Sequence, residues 1–97
     1  MSFQKDVNYQ AGNAKLFVSG TPSNGEIAFD VDLSDNGQPG YVGGIYIGGD
    51  GNLIVIMAQD QTNTLVTFNS VKAGTFLPIQ VKLVSATSTA TNIMALW

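Results

Sequence analysis

The side chains with the most chemical capacity in this sequence are its carboxylates. Seven acidic residues stand against four lysines, and Glu26, Asp30 and Asp32 occupy even positions of one short segment. Residues two apart in a strand share a face, so these three are expected to line up. Such a row offers oxygen ligands for Ca²⁺, with Asp35 or Asn36 beside it. The EF-hand spacing is missing, however. The competing reading is the solvated face of an amphipathic strand, whose charges discourage edge pairing. A carboxylate pair of the glycosidase kind is also the one catalytic arrangement that this composition supplies. A chain of 97 residues leaves little room for a cleft between two such groups.

The remaining inventory excludes more than it offers. Without cysteine there is no disulfide, thiol nucleophile or zinc-finger spacing. The common neutral-pH base is missing with histidine, and bidentate phosphate and base readout with arginine. A net charge of −3 opposes nucleic acid and anionic membranes. The expectation is therefore a protein that is not an enzyme, with no catalytic residue, no cofactor, no metal, no nucleic acid and no membrane partner.

Two further features invite a site. Gly43-Gly44 and Gly48-Gly49-Asp50-Gly51 suggest a phosphate loop, but neither continues into Lys-Ser/Thr and a helix. A turn with close backbone approach is the better account. Tyr9, Tyr41, Tyr46, Phe76 and Trp97 offer aromatic faces. With an Asn/Asp rim from loops 37–41 or 48–52 they would suit a sugar; otherwise they fill a core or an oligomer seam.

The elements that must carry these residues read as strands. Residues 1–14 are polar and aperiodic, an N-terminal arm or loosely held first strand, and residues 15–97 form the domain. Leu16 and Val18 share a face, and residues 21–25 make a turn. Residues 26–33 alternate most clearly, with Ile27, Phe29, Val31 and Leu33 on one side. After a loop over 34–40, strands are expected at 41–47 and 53–58, joined as a hairpin by the glycine-rich residues 48–52. The second strand is apolar on both faces, which predicts burial against another layer or a partner chain. Strands at 64–68, 78–84 (opened by Pro78) and 92–97 complete the set. The last strand, with Ile93, Ala95 and Trp97 alternating with Met94 and Leu96, is apolar to its final residue and so belongs in a core or an interface. No helical window occurs. The fold class is all-β, a single β-sandwich or barrel of about seven to eight short strands with jelly-roll-like connectivity. The N-terminus lacks the basic start and apolar stretch of a secretory signal, and the longest apolar run, 53–58, is too short to cross a bilayer.

Several segments carry a resemblance. They are Val66-Thr67-Phe68-Asn69, Val71, Ala73-Gly74-Thr75-Phe76-Leu77-Pro78-Ile79, Val81-Lys82, Val84, Ala86-Thr87-Ser88-Thr89-Ala90-Thr91-Asn92-Ile93-Met94-Ala95-Leu96-Trp97, and Gly44-Ile45-Tyr46-Ile47-Gly48. Together they resemble the small spike-base proteins on the heads of tailed phages and gene transfer agents, over roughly residues 41–97. The resemblance implies a virion protein on the outer surface of the head, a homo-oligomer (trimer or pentamer) bound to the major capsid protein. It would serve as a decoration, as cement or as a spike base that carries a fibre protein. Ile54, Ile56, Phe76, Leu77, Met94, Leu96 and Trp97 are the candidate interface residues. The runner-up is a carbohydrate- or receptor-binding module of the same particle.

Overall fold

The computed structural model describes residues 12–23, 25–35, 37–40 and 42–97. The arm over residues 1–11, with Tyr9, lies outside them, as do Asn24, Asn36 and Tyr41. Eight strands are present among the described residues: β1 (Ala14–Val18), β2 (Glu26–Ala28), β3 (Gly44–Gly49), β4 (Gly51–Met57), β5 (Leu65–Val71), β6 (Thr75–Leu77), β7 (Val81–Val84) and β8 (Thr91–Leu96). They form a five-stranded sheet in the order β2-β1-β8-β3-β6 and a three-stranded sheet in the order β5-β4-β7.

The all-β expectation holds, and alternation is its physical cause. Ile45 and Ile47 on β3, Ile93 and Ala95 on β8, and Phe17 on β1 point inward from the larger sheet. Leu53 and Val55 on β4 and Val81 and Val84 on β7 meet them from the smaller one. These residues, with Ile27, Leu33, Val42 and Ala90, make one hydrophobic core. The architecture is that of a small β-sandwich. Jelly-roll connectivity is not established by this strand order, since the sheets hold five and three strands and β1 pairs β2 in parallel. That parallel pair needs no helical crossover, because Leu16 faces Glu26 and the chain retraces only about 7 Å, two residues of strand. The left-handed conformations of Gly20 (φ 83°) and Gly25 (φ 89°) make the reversal possible.

Three local expectations are corrected. Residues 26–33 are not one strand. Pairing with β1 stops at Ala28, and Asp30 turns the chain at φ 63°. Asp30 N–H then donates to the Val84 carbonyl (2.8 Å) and Leu33 N–H to the Lys82 carbonyl (2.8 Å), both on β7. The segment thus passes from the edge of one sheet to the edge of the other. Ile27 and Leu33 stay fully buried because alternation records burial, not the identity of the pairing strand.

The link over 48–52 is likewise no hairpin, because β3 and β4 belong to different sheets and do not pair. It is a corner, closed by backbone approach. A side chain at Gly51 would collide with the Ala90 amide and lie 2.6 Å from Ala90 Cα, and one at Gly49 would strike the Thr91 hydroxyl. The third correction concerns residues 78–84. Pro78 sits in the link between β6 and β7, and the strand opens only at Val81. The short β6 before it has no counterpart among the expected strands.

The end of the chain behaves as its apolar pattern requires. β8 lies between β1 and β3 in the larger sheet. Trp97 packs against the core, accepts from the Gly12 and Asn13 N–H groups (2.8 Å each), and has the Lys15 Nζ 6.0 Å from its ring centre.

Candidate functional site

The carboxylates do not converge. Glu26 Oε1 accepts from Ser23 N–H (2.7 Å), Asp30 Oδ1 from Ala86 N–H (3.1 Å), and Asp32 Oδ1 from both the amide (2.9 Å) and the hydroxyl (2.7 Å) of Ser34. Asp50 Oδ1 accepts from Ala73 N–H (2.7 Å). Asp60 accepts from the Thr62 hydroxyl (2.6 Å) and from the Thr62 and Thr64 amides (2.8 and 3.0 Å). Each oxygen thus satisfies a nearby turn. The two best-served groups, Asp32 and Asp60, are held below the usual carboxylate range chiefly by the hydroxyls of Ser34 and Thr62. Among the described residues no three His, Cys, Asp or Glu side chains come together as a cation site requires. The break at Asp30 is what disperses the row that the sequence suggested.

Loop 48–52 is committed to the fold as well. The Asn52 carbonyl accepts from Thr89 and Ala90 N–H (2.9 and 3.0 Å), its amide N–H donates to Thr89 Oγ1 (2.8 Å), and its side-chain oxygen accepts from Ser70 N–H (2.9 Å). Residues 85–90 continue the β4 ladder where β7 has ended. Ser88 Oγ accepts from Ile54 N–H (2.9 Å) and donates to the Ile54 carbonyl (3.2 Å), and Ser85 N–H donates to that same carbonyl (2.8 Å). Hydroxyls here take the place of main-chain ladder bonds. Sequence reasoning missed this role, for which the Ser/Thr-rich run at 85–91 was the available signal.

The outer faces carry the exposed apolar surface. Across the larger sheet, Leu16 faces Met94, Met94 faces Tyr46 and Tyr46 faces Phe76, a row of large side chains without a charge. Tyr46 is 38% exposed and Phe76 40%. On the smaller sheet, Leu65 (53% exposed) stands opposite the well-buried Ile56, and Val66 (36%) lies at the rim beside Val55. The seven candidate interface residues therefore divide. Phe76, Met94 and Leu96 belong to the outer face of the larger sheet, and Ile54 and Ile56 to that of the smaller. Leu77 and Trp97 pack against the core.

Between the ends of β1 and β8 lies an open cavity of about 420 Å³. Leu16, Phe17 and Phe29 form its apolar wall, with the two rings stacked at 5.8 Å. Ser19, Thr91 and Asn92 supply polar groups, and none of its lining residues is charged. Asn92 is held at φ 52° beside Gly48, where a side chain would approach its Cβ to 2.7 Å. Such a depression suits a small neutral ligand, not an ion. Compared with models of known protein families and with curated proteins, the sequence gives no match.

Proposed function

We propose that this protein is a structural subunit of a tailed phage or related particle. It would be an oligomeric head decoration, cement or spike-base protein bound to the major capsid protein on the outside of the head, with a spike fibre as a further partner. The observation that supports assembly is the uncharged apolar row from Leu16 through Met94 and Tyr46 to Phe76 on the outer face of the larger sheet. A neutral core bearing Tyr, Phe and Met is the composition of a protein contact. The viral setting rests on the sequence resemblance over residues 41–97. Light scattering after size-exclusion chromatography tests self-association, and cosedimentation with capsids tests the partner. A Tyr46→Lys variant that is folded yet associates and cosediments like the wild type removes this face from the proposal.

The cavity supports a second reading, a carbohydrate-binding module. A stacked aromatic wall with hydroxyl and amide groups and no charge matches a neutral sugar residue. The site differs from the loops expected to form the rim, since loop 48–52 is engaged in the corner. Glycan binding lost in Phe29→Ala and Asn92→Ala would favour this reading; a blank glycan panel would end it.

A further inference from the structure

Among the described residues β5 is the longest strand at a sheet margin, and its first four residues lack the usual protection against pairing. β2 is three residues long and begins with Glu26. β6 is also three residues long and is followed at once by Pro78. The far side of β7 is occupied by Asp30 and Leu33, which bond its Val84 and Lys82 carbonyls, and by the Val42–Val81 bridge. β5 runs for seven residues, Leu65–Val71, with no proline and no charge. Its irregularity is confined to the far end, where the register shifts opposite Gly51 and Leu53 and Ser70 takes φ 54°, and Leu65 to Phe68 remain in regular register with β4. Leu65, Val66 and Thr67 are all exposed, on both faces of the strand.

We infer that β5 is a pairing edge whose occupant is the β5 of a second copy, aligned antiparallel across a twofold axis. This deepens the assembly reading above, and it concerns the smaller sheet, not the apolar row of the larger one. Charge selects both occupant and direction. A neutral strand meets itself without like charges opposite one another. Lys72 follows directly on β5, so a parallel pair would set two Lys72 side chains abreast. An antiparallel pair instead places Lys72 near the neutral residues 61–64. The added strand would also cover Val66, which the partner sheet leaves at the rim, and would join two three-stranded sheets into one of six strands. An isologous contact closes at two copies, so it is separable from any ring made by the larger sheet.

The test uses the full chain. Leu65→Lys combined with Thr67→Lys alters only exposed positions, so the melting temperature of the monomer should hold. The dimer dissociation constant is expected to rise at least about tenfold. Because the sequence has no cysteine, single Cys substitutions at Leu65, Val66, Thr67 and Asn69 report proximity directly. At least one of these should crosslink two copies under mild oxidation, while Tyr46→Cys should not. Unchanged mass in the double variant, no crosslink on β5, or a wild type monomeric at about millimolar concentration each overturns the self-pairing. If the double variant keeps its mass and loses capsid cosedimentation, the edge receives a capsid strand and self-pairing is again wrong. The assembly proposal is judged separately, by capsid cosedimentation of the wild type and of Tyr46→Lys.

Discussion

Gly51→Ala tests the corner that carries the chain from one sheet to the other. The methyl group would meet backbone, not a movable side-chain tip: the Ala90 amide, Ala90 Cα at 2.6 Å and the Thr89 carbonyl carbon at 2.6 Å. Relief requires the 48–52 segment to move away from residues 88–91. That movement strains the Thr89 and Ala90 amide bonds to the Asn52 carbonyl and the Asn52 amide bond to Thr89 Oγ1. Overpacking costs about 1–3 kcal/mol, and a weakened hydrogen bond roughly 1 kcal/mol more. The expected loss is at least about 2–4 kcal/mol, because the φ of 155° at Gly51 adds backbone strain of its own, or a fall in Tm of at least about 10–20 °C for a domain of this size. Gly20→Ala serves as comparator, because Gly20 also has a positive φ (83°) but nothing within 4 Å of an added Cβ. It should lose only about 1–2 kcal/mol of left-handed strain. Urea melts of the two variants decide the matter. If Gly51→Ala is no less stable than Gly20→Ala, the close approach does not constrain the corner.

Other consequences are open to direct measurement. Ser88→Ala leaves the Ile54 N–H without its acceptor and should cost about 1–3 kcal/mol in chemical denaturation, whereas a change at the exposed Thr64 should cost far less. Removing Leu96 and Trp97 strips two large apolar side chains and the carbonyl that receives Gly12 and Asn13. A loss of several kcal/mol is expected, and unchanged melting would show the last residues to be dispensable. Asp32 and Asp60 are lowered in the folded state, so their contribution is present above the unfolded value near 3.8 and is lost as pH falls through the folded values. Stability should therefore decline below about pH 4, and Asp60→Asn should flatten that decline.

Which parts of this were legible from residues alone follows from what alternation measures. Ile45 and Ile47, Leu53 and Val55, and Ile93 and Ala95 occupy the core as their period-two spacing requires. Burial on one face is a local property, and the sequence writes it locally. Strand partnership is not local. Ile27 and Leu33 keep their alternation while the backbone leaves β1 for β7, and only Asp30, a residue type that tolerates φ near +60°, marks the change. The glycine cluster at 48–51 fits a hairpin or a corner equally well. What decides is the proximity of Thr89 to Thr91, some forty residues onward. The carboxylate row failed for the same reason: it assumed a continuous strand, and a single left-handed residue scattered it. The Ser/Thr run at 85–91 showed no apolar period, so its lacing of β4 through hydroxyls had no counterpart in a pattern built on burial.

Charge placement separates the two association surfaces from the rest of the molecule. Glu26, Asp30, Asp32, Asp50 and Asp60 each accept from loop or turn amides, and Lys82 is turned to the Asp60 carbonyl and Asn63 Oδ1 (2.8 and 2.6 Å). Neither β5 nor the Leu16–Met94–Tyr46–Phe76 row contains a charge. Association through either surface should then depend on dehydration of apolar groups and on main-chain pairing, with little electrostatic steering. Raising salt from about 50 to about 500 mM shortens the Debye length severalfold and would weaken a contact between opposite charges markedly. Here the dimer dissociation constant should change by less than about threefold over that range. Sedimentation velocity across a salt series measures it, and a steep weakening with salt would mean that a charged surface, and neither of these two, holds the copies together.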